Sequence, residues 1–214
     1  MRPAPQLAPL DLDTIRRLWK PRRDSYADAR LYEANRIRLH RAFSWLERAE
    51  RCGESQLDDR YLAQWAGLMA LASRWDEGRG APAAERANLA SFVRQVFATD
   101  HDGVMPATIE RERTLVSSMF SDRYLARHFE PVDARALLER RRFDRLAALV
   151  LERCALVHAQ LAHGGSTYGS RENRTVLKRS SMALDRLSLG ALQVFINHGY
   201  ADDWGGLCWP PARG

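Results

Sequence analysis

Apolar residues recur at every third or fourth position through most of the chain, the spacing of amphipathic helices, and strand-like alternation occurs nowhere. From Asp24 to Arg51 the residues are good helix formers, with Ala42, Trp45, Leu46 and Ala49 on one stripe and Gly53 as the stop. A second helix is predicted from a cap at Asp58 or Asp59 to about Trp75, with Leu62, Trp65, Leu68, Met69 and Ala72 facing inward. Asp76 to Ala81 contains Gly78 and Gly80 and reads as a loop. Leu89, Phe92, Val93, Val96 and Phe97 mark a third helix, closed by Asp100-His101-Asp102-Gly103.

Ala107–Phe120, Asp122–Phe129 and Val132–Arg141 are more charged helical segments with indistinct ends. The most apolar helix runs from Phe143 to His163, turning Phe143, Leu146, Val150, Val157 and Leu161 inward, and Gly164-Gly165 stops it. A turn-rich stretch from Ser166 to Asn173 leads to a last helix, about Thr175 to His198, with Gly199 as its cap. Pro82, Pro106 and Pro131 each precede a helical segment, and the other six prolines lie near the ends. These features predict an all-α helical bundle in a single domain, residues 24–214, preceded by a basic arm over residues 1–23 that is loosely attached.

The chain has 214 residues, 45% hydrophobic and 28% charged, enough to bury a core and too apolar for disorder. Its longest apolar run, Leu146 to Leu151, is closed by Arg145 and Glu152, far short of a bilayer span. The start, Met1-Arg2-Pro3-Ala4-Pro5, has no apolar segment behind its charge, so a cytoplasmic location and no membrane partner are expected. Cys52, Cys154 and Cys208 are odd in number and widely spaced, which points away from a disulfide framework or a zinc site. The net charge is +6, and all basic residues except Lys20 and Lys178 are arginine. Arginine's fork suits phosphate, although codon bias explains the same composition.

No P-loop, G-x-G-x-x-G, G-x-S-x-G or H-E-x-x-H motif is present, and no helical histidine pair at i, i+4 supports a metal. The informative stretch is His158-Ala159-Gln160-Leu161-Ala162-His163-Gly164-Gly165-Ser166-Thr167-Tyr168-Gly169-Ser170, followed by Asn173-Arg174 and a tail reading Asp203-Trp204-Gly205-Gly206-Leu207-Cys208-Trp209-Pro210-Pro211. Arg36 to Glu50 and Asp59-Arg60-Tyr61 complete an ordered series. Over roughly residues 30 to 211 this series resembles the HEPN superfamily, in particular bacterial HEPN-like proteins whose long helix ends in Arg-x-Gln-Leu-Val-His-Gly. The resemblance implies a helical bundle that forms a homodimer and pairs two Arg-x(4–6)-His motifs across the interface. It also implies RNA as partner, an antitoxin or other protein as a further partner, and either metal-independent endoribonuclease activity of toxin or defence type or a non-catalytic interaction module. No cofactor is implied.

Cleavage through the 2′-OH needs a group that exchanges protons near neutral pH and a fixed cation for the phosphorane, roles suited to histidine and arginine. His163 matches the motif histidine, but His158 stands where the family has arginine, and Ala159 follows it. Two substitutes are open: His158 protonated beside phosphate, or Arg153, which spells Arg-x4-His with His158. Five-residue steps rotate about 140° around a helix and Arg153 to His163 spans about 15 Å, so one chain cannot bring all three together. A partner chain could supply the missing group. His163 and His158 are thus the candidate catalytic residues, with Arg153, Arg174 and Asn173 as phosphate contacts. Structural roles compete: His163 as a helix-end residue, Asn173 and Arg174 as caps, Arg153 in a salt bridge, Trp204 and Trp209 as core at the bundle end. The Arg16–Arg23 segment is either a solvated charge run or an electrostatic contact for nucleic acid.

Overall fold

The computed structural model describes residues 10–25 and 32–209, and among these it is an all-α bundle with one very small sheet. The helices are α1 (Leu12–Ser25), α2 (Glu33–Glu50), α3 (Leu57–Ala72), α4 (Glu85–Thr99), α5 (Val104–Arg111), α6 (Arg113–Ser121), α7 (Ala134–Glu139), α8 (Phe143–Ala162) and α9 (Arg174–Val194). A π-helical turn, Phe195–Gly199, continues α9. Helix α9 is the bundle's axis: it packs against α3, α5, α6 and α8, and its Leu184, Leu192 and Val194 are fully buried.

The segment expected to be a loose basic arm is, from residue 12 onward, a helix seated on α2 and α9. Its charges conceal an apolar stripe, Leu12, Ile15 and Trp19 at i, i+3 and i+7, all buried. Residues 1–9 of that arm lie outside the described residues. The loop expected at 76–81 turns out to be the hairpin of a two-residue ladder, β1 (Trp75–Asp76) antiparallel to β2 (Ala81–Pro82), and α3 stops at Ala72 rather than Trp75. The single helix expected over 107–120 is broken at Glu112 into α5 and α6. Asp122–Phe129 contains only a short 3-10 turn, where Asp122 accepts the Tyr124 and Leu125 amides. Trp45 and Leu62, expected inward, are 48% and 36% exposed, and Leu161 is only half-buried.

Helix α2 clamps the C-terminal tail through residues at i, i+3 and i+6. Asn35 donates to the carbonyls of Tyr200 and Asp202, and Arg41 to those of Cys208 and Trp209. Between them Arg38, wholly buried, donates to the carbonyls of Ser73, Trp204, Gly205 and Gly206 at 2.6 to 3.3 Å. Burial, then the nearby charge of Arg74, push its pKa down to about 10. Trp204 caps the bundle end as expected, stacked on Phe195 and donating to the Gly199 carbonyl, whereas Trp209 is 66% exposed. All three cysteines are free and buried, and burial pushes the Cys154 thiol up to about 12. No helix among the described residues is long and apolar enough to cross a membrane.

Candidate functional site

The C-terminal half of α8 distributes its polar residues over three sides. Arg153 points toward α6 and the 3-10 turn, where its guanidinium lies 4.2 Å from the ring centre of Phe120 and 4.6 Å from that of Phe129. It is 3% exposed, donates to the Leu149 carbonyl, and its pKa is lowered by burial. Gln160 follows on the same side and donates to the Tyr124 hydroxyl. His158 points the other way and stacks on Trp65 of α3, with ring centres 4.9 Å apart and planes 16° from parallel. The divergence of Arg153 and His158 is what a five-residue step on a helix dictates.

His163 is the C-cap of α8. Gly164 follows in the left-handed conformation at φ 69°, and the Gly164 and Gly165 amides donate to the carbonyls of Leu161 and Gln160. The glycine amides therefore satisfy these late carbonyls of the helix without the imidazole. The His163 ring is exposed and makes no hydrogen bond among the described residues. Its charge is felt by both His158 and Glu85, the first residue of α4. Glu85 is exposed, yet partial desolvation raises its pKa, against the opposing pull of the Trp65 indole N–H and His163.

Glu85 also lines a cleft of about 530 Å³ between α4, α8 and the segment after the 3-10 turn, with Arg86, Arg127, His128, Glu130 and Glu152. Arg86 pairs with Glu152 at 3.1 Å, while Arg127 has no ion pair among the described residues. The structure thus gathers His158, His163, Glu85 and Trp65 beside a cleft holding two arginines, and leaves Arg153 out. No family model, curated protein or solved structure matches this chain.

Asn173 and Arg174 lie elsewhere, against α3. Asn173 occupies the N-cap of α9 at φ 57° without a side-chain capping bond, and Arg174 pairs with the buried carboxylate of Asp58. Asp59 accepts the Tyr168 hydroxyl at 2.7 Å. The two acids expected to cap α3 instead fasten the 166–174 turn to it, because Gln56 holds the N-cap position. Among the described residues no group of three or more metal-ligating side chains is arranged to hold an ion. Glu85, Arg86 and Arg127 were not singled out by the sequence. They belong to charged segments with ordinary helical patterning, and only the tertiary approach of residues 85–89 and 127–130 to α8 brings them together.

Burial and the His163 charge lower the pKa of His158 below its ordinary value of 6.5. The unfolded chain therefore binds the proton more readily, so this residue's contribution to stability is complete above about pH 6.5 and is lost as pH falls through the lower folded value. Nuclear magnetic resonance titration of the imidazole ring protons is expected to place the His158 midpoint below 6.5. A His158 midpoint above 6.5 would show that the Trp65 stack does not desolvate it.

Proposed function

We propose that the protein is an HEPN-like, RNA-directed protein that cuts RNA without a metal at the C-terminal end of α8. The observation that carries the reading is the exposed imidazole of His163, unbonded among the described residues and within electrostatic reach of Glu85, whose carboxyl pKa is raised by burial. In such a reaction the 2′-oxygen attacks phosphorus and the P–O5′ bond breaks, leaving a 2′,3′-cyclic phosphate. One group removes the 2′ proton and another protonates the departing 5′ oxygen. His163 is suited to one of these roles and Glu85, whose pKa burial raises, to the other. Arg127, with Arg86 once released from Glu152, offers cations for the phosphate. His158, held back from protonation, orients the site through Trp65 rather than supplying the charge of the family arginine.

The reading includes a homodimer, with a second chain as a further source of positive charge. A non-catalytic module binding RNA or a partner protein is favoured by one specific observation: the guanidinium of Arg153 is fully engaged between Phe120 and Phe129. One assay separates the two. Labelled RNA is incubated with the wild type, His163→Ala and Glu85→Gln in excess EDTA. The enzyme reading expects cyclic-phosphate products from the wild type and a loss of about 10²- to 10⁴-fold in rate for each variant. Equal background from all three proteins would establish the module.

A further inference from the structure

We infer that the groove between α1 and α2 binds the sugar–phosphate backbone of a single-stranded nucleic acid. This inference does not rest on the reading of the α8 cleft, to which neither helix contributes. The groove has a volume of about 650 Å³, with Arg16, Arg17, Lys20 and Arg23 from α1, His40 from α2, and Trp19 as its apolar lining. Asp13 is its only carboxylate among the described residues. Arg16, Lys20 and Arg23 fall at i, i+4 and i+7, a row of about 10 Å along one side of the helix. A row of cations of this length can follow consecutive phosphates of a single strand.

Arg23 reaches Asp24 in an exposed pair, and exposed pairs contribute little, whereas Arg16 is held by the half-buried carboxylate of Glu47. Lys20 has no ion pair among the described residues. Trp19 is 6% exposed, and its buried indole N–H, on the lining of the groove, has no partner among the described residues. It is fixed by stacking on Phe43 at 4.9 Å, with the Arg23 guanidinium 5.6 Å over its ring.

A lipid surface fits less well, because α1 turns Leu12, Ile15 and Trp19 inward and leaves only Leu18 to insert. An acidic protein fits less well, because the groove's one aromatic is already covered and cannot serve as an interface anchor.

The test is fluorescence anisotropy of labelled oligouridylate, titrated at several salt concentrations with the full chain. The triple variant Arg17→Gln/Lys20→Gln/Arg23→Gln is expected to bind at least about tenfold more weakly. Its log K against log salt slope should be shallower by about 2, from about 0.7 per released counterion. Lys20→Glu alone should weaken binding in the same direction and keeps the test decisive if the triple variant melts early. Oligothymidylate should compete as well as oligouridylate, since a backbone contact does not read the base or the 2′-OH. In an Arg86→Gln/Arg127→Gln background, which strips the other cleft, the α1 substitutions should still lower the slope by about 2.

The inference is overturned if the α1 variants keep wild-type affinity and slope, including the case where only Arg86→Gln/Arg127→Gln loses binding. Binding to phosphatidylserine vesicles without binding to either oligonucleotide would overturn it as well.

Discussion

Replacing Arg38 with leucine is expected to cost about 3 to 5 kcal/mol of folding stability, a large share of what a domain of this size holds. Two effects oppose one another. Leucine removes a buried charge that no carboxylate among the described residues touches and whose pKa burial lowers to about 10. It also strips the donors from the carbonyls of Ser73, Trp204, Gly205 and Gly206, which meet on a side chain with no solvent exposure. Each buried carbonyl left bare costs about 1 to 3 kcal/mol, so losing several outweighs the relief of one charge. Lysine would recover only part, because an ammonium has no planar fork to span carbonyls on two segments. Chemical denaturation of Arg38→Leu and Arg38→Lys, read by tryptophan fluorescence, measures both. A leucine variant within about 1 kcal/mol of the wild type would mean that the tail is held by Asn35, Arg41 and Trp204 alone.

The fate of Arg38 shows where sequence patterning stops being informative. On a helical wheel it is one arginine among many, and nothing in its spacing distinguishes it from the exposed Arg36. Its burial is decided by the tail, whose irregular backbone recruits α2 for carbonyls of which only that of Gly206 also accepts a backbone amide, from Trp75, among the described residues. By contrast, α8 is legible almost to the residue, 143–163 expected and 143–162 found, because an unbroken apolar stripe and a Gly-Gly stop agree. Helix α1 was hidden by its charge, since three apolar residues among five basic ones read as a solvated run until Trp19 meets Phe43.

The candidate site divides in the same way. The exposed position of His163 follows from the helix end, and the separation of Arg153 from His158 follows from helical rotation. Glu85 approaches from more than 70 residues away along the chain, a distance over which periodicity carries no information. The same holds for Trp65, which the stripe in α3 marks as core and which also serves as the surface on which His158 lies.

Gly199→Ala is expected to be costly for a reason different from the helix cap that the sequence suggested. Gly199 does not adopt a left-handed conformation; it ends the π-helical turn, and a Cβ there would lie 2.6 Å from Cζ2 of Trp204 and 3.4 Å from Cγ2 of Thr99. The indole cannot swing away. It is stacked on Phe195 at 4.4 Å, tilted against Phe92, and tied by its N–H to the Gly199 carbonyl at 2.7 Å. Overpacking of this kind costs about 1 to 3 kcal/mol. Trp204→Ala, which empties the end of the core and leaves that carbonyl with the Asp202 amide as its donor, should cost about 3 to 5 kcal/mol. The decisive measurement is the double variant. Once the ring is gone the alanine has nothing to strike, so Gly199→Ala in the Trp204→Ala background should be close to neutral and the combined loss smaller than the sum. Additive losses would place the strain of Gly199→Ala in the backbone of the turn instead of in the contact with the indole.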